Sequence, residues 1–256
     1  MVEKLLFFMV FLVFSIQITW ASNILRELRM ANEIVDSIID GDAEMLVADG
    51  HEFFSIYTEA DDAKGAVIIM HGRGFHPDWV DTIQPLRVGL VDFGWNTLSI
   101  QMPVLHKEAK YYDYVPIFDE ATPRINAAID FLKQQGNQKI ILIAHSCSVH
   151  MTMQYVRNEG DGSFDAFIGI GMGATDYKQP MRRPFPLDEI SKPVLDVYGG
   201  DDYPAVHRLA PERLSLIKVA GHPLSKQVKI PLADHYFTDQ GEPLLDEISS
   251  WLEQLY

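Results

Sequence analysis

The sequence predicts an α/β fold: a mostly parallel sheet with helices on both faces and no large lid. Two observations carry the prediction. Short, largely apolar runs rich in Ile, Val and Leu recur at 66–70, 97–102, 140–144, 166–170, 194–198 and 228–232, the pattern of strands buried on both faces. Between most of them lie longer stretches with helical apolar spacing, and strands alternating with helices make a parallel sheet.

Taken in order, residues 5–18 form an apolar run behind Lys4. As a helix it spans about 21 Å, short of the ~30 Å hydrocarbon core of a membrane. Thr19 and Ala21 place small residues at the −3 and −1 positions of a cleavage site. The expectation is a secretory signal peptide over 1–21, with an uncleaved N-terminal anchor as the alternative. Residues 22–43 hold an amphipathic helix (23–39) that packs on the domain and carries no chemical motif. Residues 44–256 then make one α/β domain. It opens with strands 44–47 and 52–58 joined by Asp49-Gly50, a hairpin signal. Helices are expected over 81–93, 116–135 (with Thr122-Pro123 marking its true start), 148–157, 204–219 (interrupted by Pro211) and 244–255.

The chain has 256 residues, 47% hydrophobic and 22% charged, enough for one domain of ordinary size. A net charge of −15 without a long basic run argues against nucleic acid as a partner. The one cysteine, Cys147, permits no intramolecular disulfide and reads better as a small buried hydrophobe than as a reactive thiol. No G-x-G-x-x-G follows the first parallel strand, and neither a Walker loop nor H-E-x-x-H is present, so no cofactor or metal is expected.

The chemistry centres on 139–148, K-I-I-L-I-A-H-S-C-S. A buried strand, a sharp turn carrying Ser, then a helix is the setting of a nucleophile elbow, whose residues two before and two after the nucleophile must be small. Around Ser146 they are Ala144 and Ser148. Around Cys147 they would be His145 and Val149, and around Ser148 they would be Ser146 and His150. The register therefore selects Ser146. In parallel sheets ligands sit at the carboxyl ends of strands. Those ends carry His71-Gly72-Arg73-Gly74, Ser146, Asp201-Asp202 and Asp234-His235. A serine hydroxyl needs a neighbouring base to attack a carbonyl, and an imidazole with an ordinary pKa of ~6.5 suits that task. His235 is the candidate base, with His222 set aside because a helix and not a strand should precede it. Asp202 is the candidate acid, with Asp201 as its alternative and Asp176 behind both. The backbone N–H groups of Arg73 and Cys147 are the candidate donors to a tetrahedral oxyanion.

The order Ser, Asp, His at successive strand ends, with the motifs at 71–74, 144–148, 198–202 and 232–237, resembles the α/β-hydrolase superfamily over 44–256. The stretches at 76–79, 94–99 and 195–199 are similar to a bacterial family of exported α/β-hydrolase-like proteins of unknown function. The resemblance implies the α/β-hydrolase fold and export, and leaves the substrate open. Two readings follow. One is a serine hydrolase of the cell envelope, acting on a small-molecule ester, thioester or amide. The other is a catalytically inactive fold used for binding or scaffolding, which the non-glycine elbow flanks favour. The short connection at 171–192 has no room for a helical lid. On it, Lys178, Arg182 and Arg183 are either a solvated basic loop or contacts for a carboxylate or phosphate. His145, Arg182 and Arg183 are carried as substrate contacts. No membrane span is expected after signal cleavage, and nothing in the sequence sets the oligomeric state.

Overall fold

The structure, a computed structural model, describes residues 21–255. The signal-peptide expectation falls outside the described residues except for Ala21. Helix α1 (Ile24–Ile34) leads into a 3-10 turn and the hairpin β1 (Asp42–Ala48) and β2 (His51–Thr58). There follow β3 (Gly65–Met70), α2 (Ile83–Asp92), β4 (Trp95–Ile100), α3 (Tyr111–Tyr114), α4 (Ala121–Gln134), β5 (Ile140–His145), α5 (Cys147–Glu159) and β6 (Ala166–Ile170). The chain ends with β7 (Val194–Gly199), α6 (Pro204–Ala220), β8 (Lys226–Ile230) and α7 (Gly241–Leu255).

Among the described residues eight strands form one sheet in the order β1-β2-β4-β3-β5-β6-β7-β8. The β1/β2 and β2/β4 pairs are antiparallel and the others parallel. Alternate residues of the inner strands feed two cores, because successive side chains point to opposite faces. Ile68, Leu142 and Phe167 pack with Ile125 and Leu132 of α4 and Val149 of α5. Val67, Ile143 and Leu195 pack with Leu86 of α2 and Trp251 of α7. β5 lies near the middle, buried throughout, so the turn after it opens at the centre of the sheet's carboxyl edge. Between β6 and β7 a three-residue 3-10 helix, Leu187–Glu189, is the only helical piece among the described residues, and the cleft has no lid.

Four expectations change. α6 runs unbroken through Pro211. Proline forgoes one backbone bond there, but the buried Arg213 ties the helix down: its Nε donates to Asp196 at 2.7 Å and its Nη1 to the carbonyls of Met172 and Val206. β8 is two residues earlier than expected, because Pro231 has no N–H to continue the ladder and Leu232 turns out to φ +63°. The helix expected from 116 is a 3-10 segment over Val115–Glu120, and α4 begins only at Ala121, close to the Thr122-Pro123 signal. β4 likewise starts at Trp95 and stops at Ile100, where Met102 turns its N–H to the His71 ring instead of the ladder.

The ends of β7 and β8 approach closely at Gly199. A Cβ there would stand 2.2 Å from the Ala233 carbonyl oxygen and 2.7 Å from that of Asp234. Both are backbone atoms and neither can swing aside. Gly199→Ala should therefore destabilise the protein by about 1–3 kcal/mol, the usual range for overpacking. Gly162→Ala, where a Cβ meets nothing within 4 Å, should stay within about 0.5 kcal/mol. Urea denaturation of the two variants checks this, and equal midpoints would contradict the close approach.

Candidate active site

Ser146 sits between β5 and α5 at φ 56°, ψ −112°, a strained conformation for a residue with a side chain. Its N–H donates to the Ile170 carbonyl at 2.9 Å, which pins the turn to β6. The strain is held by crowding: Ala144 is fully buried behind the turn. Ser148 occupies the other flank and puts its hydroxyl to use, donating to the His71 carbonyl. A glycine there would lack this bond between the elbow and the 71–74 loop, so the departure from the usual flank has a structural role.

Ser146 Oγ lies 2.8 Å from His235 Nε2, and His235 Nδ1 lies 2.6 Å from Asp202 Oδ1. His235 and Asp202 are buried while Ser146 stays partly open. The carboxylate fixes the tautomer: Nδ1–H donates to it, leaving Nε2 to accept from the serine. Asp202 also accepts from the Tyr203 N–H at 2.6 Å. Glycine is required at 171, with φ +61°, because a Cβ would stand 2.8 Å from the His235 ring. Asp201 is exposed and offers its backbone N–H to the Ala233 carbonyl, so its side chain takes no part. Asp176 is occupied elsewhere, paired with Arg73 and accepting from the Tyr111 N–H. His222 lies in the turn after α6, accepting from the Leu224 N–H. The loop of His235 is shaped by Asp234, which accepts from the Tyr236 and Thr238 amides and the Thr238 hydroxyl. Burial pushes the Asp234 carboxyl up, but these bonds outweigh it and hold it below its ordinary value.

The N–H groups of Arg73 and Cys147 have no acceptor among the described residues. Both residues line the cleft beside Ser146. The loop that presents Arg73 is anchored by His71. Its Nδ1–H donates to the Gly72 carbonyl at 2.8 Å, and its Nε2 accepts from the Met102 N–H at 2.9 Å. Burial pushes the His71 imidazole down to about 3, so it stays neutral. From α1, Arg26 donates to the carbonyls of Gly74 and Leu105, a brace that no motif in the sequence announces. Burial likewise pushes the Cys147 thiol up to about 12, which leaves it inert.

The structure places the three expected substrate contacts, His145, Arg182 and Arg183, away from the cleft. His145 is fully buried and lies under His235: its Nε2–H donates to the His235 carbonyl at 2.9 Å, and the rings are 5.2 Å apart. It positions the base and cannot meet a substrate. Arg182 and Arg183 face a separate depression that shares only Tyr111 with the cleft. Arg182 stacks over Tyr112 at 4.0 Å and Arg183 donates to Gln154. The cleft proper, of about 520 Å³, is walled by Phe75, Tyr111, Tyr203 and Tyr236 and admits Lys178 and, from α6, Arg208. Tyr203 stacks on the His235 ring at 4.3 Å and its hydroxyl meets that of Tyr236 at 2.6 Å. The aromatic wall was not legible, since each tyrosine reads alone as ordinary surface or core.

Burial pushes three imidazoles far down: His71 and His145 to about 3 and His150 to about 4. In the unfolded chain each titrates near 6.5. Between those values the unfolded state binds protons that the folded state refuses, so stability is full above about 6.5 and is lost as pH falls. Each histidine contributes a slope of about 1.4 kcal/mol per pH unit in that window. Urea denaturation at pH 7.5 and 5.0 should show the loss, and His150→Gln should reduce the slope by about one proton's share. A flat profile would contradict the buried neutral state.

Comparison with solved structures gives the same architecture at low identity. Est1E from Butyrivibrio proteoclasticus is 16% identical, covering 84% of this chain and 98% of its own, with a TM-score of 0.63. XC6422 from Xanthomonas campestris, described as a member of the α/β serine hydrolases without lid, is 11% identical over 85% and 96% of the two chains, with a TM-score of 0.62. The esterase Pf2001 from Pyrococcus furiosus is 15% identical over 84% and 92%, with a TM-score of 0.65. These likenesses show the fold, that of the α/β hydrolases. Comparison with curated proteins finds no match. The family model described as Protein of unknown function (DUF3530) matches residues 26–114 and 117–254, and the chain belongs to that family.

Proposed function

We propose that the protein is a serine hydrolase acting on a small-molecule ester, thioester or amide, with Ser146, His235 and Asp202 as its triad. The observation that carries the reading is the unbroken hydrogen-bonded line from Ser146 Oγ through both ring nitrogens of His235 to Asp202. In the reaction His235 Nε2 takes the Ser146 proton as Oγ bonds to the carbonyl carbon. Asp202 steadies the imidazolium that forms. The oxygen that becomes negative is received by the N–H groups of Arg73 and Cys147. His235 then returns the proton to the leaving group as the carbon–heteroatom bond breaks. Water, deprotonated by the same imidazole, repeats the sequence on the acyl-enzyme and frees the acid. Ala144 and Ser148 fit the elbow without displacing Ser146, which supports the catalytic reading over the scaffold one.

The proposal includes export to the periplasm with cleavage after Ala21; the alternative is an uncleaved N-terminal anchor. Two properties support it: the apolar run at 5–18 and the small residues at 19 and 21.

Turnover of a panel of p-nitrophenyl esters and acyl thioesters tests the activity. Ser146→Ala should lower kcat by about 10⁶-fold and Asp202→Asn by about 10⁴-fold, while Asp201→Asn stays close to wild type. Turnover that survives Ser146→Ala would overturn the assignment.

A further inference from the structure

The cleft carries the opposite charge to the molecule around it. The chain's net charge is −15. Yet the charged side chains lining the cleft, apart from His235, are three cations, Arg73, Lys178 and Arg208, and one carboxylate, Asp176. Arg73 and Asp176 form a bidentate pair and neutralise each other. That leaves Lys178 and Arg208, and neither has an ion-pair partner among the described residues. Both are exposed, so their charged ends stand at the mouth and not on the floor. They reach the cleft from different elements, Lys178 from the β6–β7 connection and Arg208 from the first half of α6. The chain turns at Lys178 through φ +61°, a left-handed conformation that a lysine rarely adopts. The side chain lies over the Tyr177 ring, with Nζ 5.2 Å from its centroid.

Unpaired cations beside low-dielectric walls concentrate anions in a cleft, and on an acidic protein they are the local exception to a field that repels them. The same lining carries the aromatic rings of Phe75, Tyr111, Tyr203 and Tyr236, which supply no competing negative charge. We propose that the substrate is an ester or thioester that itself bears a carboxylate or phosphate. Lys178 and Arg208 receive that anion at the mouth while the reacting carbonyl lies against Ser146. The inference rests on the hydrolase reading above. The anion takes no part in bond changes: the acyl bond breaks, water adds across it, and the charged group leaves with whichever product carries it. Arg182 and Arg183 are not involved, because they face the other depression.

Two fluorophosphonates of equal length, one ending in a carboxylate and the other in its methyl ester, test this on the purified protein. The readout is the ratio of their second-order rates of Ser146 phosphonylation, so a general change in reactivity cancels. Two exposed ion pairs together support a ratio on the order of tenfold in low salt. The ratio should fall toward one in about 0.5 M salt, where screening acts within a few ångströms. It should fall likewise in the double variant Lys178→Gln/Arg208→Gln and persist in Arg182→Gln/Arg183→Gln. A ratio near one in wild type at low salt, or one that survives the Lys178/Arg208 substitution, overturns the anion site and leaves the hydrolase standing. No phosphonylation by either probe overturns the hydrolase reading and this inference with it.

Discussion

The buried contact between Asp202 and His235 is the constraint around which the carboxyl edge of the sheet is built. An imidazole free to rotate has two tautomers and many orientations; a carboxylate 2.6 Å from Nδ1 leaves one. Holding that contact demands that the ends of β6, β7 and β8 converge, and the chain meets the demand by removing side chains. Gly171 lies against the His235 ring and Gly199 against the backbone of 233–234. What remains is set by hydrogen bonds from below and beside: His145 holds the His235 carbonyl, and Asp234 closes its turn. The serine meets this fixed ring because the strained turn after β5 is tied to β6 through Ile170.

A second framework serves the opposite side of the cleft. The neutral His71 joins the 71–74 loop to Met102, Ser148 joins it to the elbow, and Arg26 joins it to α1. Preorganised donors act on developing charge only if they are already in place, and three independent anchors on one short loop achieve that. α1 is itself fastened by the buried pair of Glu27 with Arg124, 2.8 Å, and by Ala31 against Phe54 and Ile56. The motif at 76–79 proves structural in the same sense: Asp78 pairs with the buried Arg87, and Phe75 stacks on Trp79 at 3.8 Å.

The fold was legible because buried parallel strands are local signals: five or six apolar residues between turns announce themselves. The gathering of Ser146, His235 and Asp202 was legible for the same reason, since strand ends bring together whatever follows them. The rest was lost where position depends on a neighbour distant in sequence. His145 and Ser146 are adjacent, yet one points under the base and the other into the cleft, because β5 ends at His145 and the chain turns through a positive φ at Ser146. Arg182 and Lys178 belong to one short loop, but Tyr112 and Gln154 draw the arginine end away. Arg208 joins the cleft only because α6 packs where it does. Arg26 sits on a helix whose apolar face gave no hint of a brace. The continuity of α6 through Pro211 is a local rule overruled by a buried arginine, whereas the early end of β8 is a local rule obeyed, since Pro231 has no N–H for the ladder.

The central claim is that one serine, at position 146, is made reactive by this arrangement. Treating the native protein with a simple alkyl fluorophosphonate, digesting it and locating the adduct by peptide mass spectrometry tests the claim directly. The account predicts a single phosphonylated residue, Ser146, and no adduct after prior unfolding in urea, because the reactivity belongs to the fold. An adduct elsewhere, or an unmodified Ser146 in the folded protein, would contradict it.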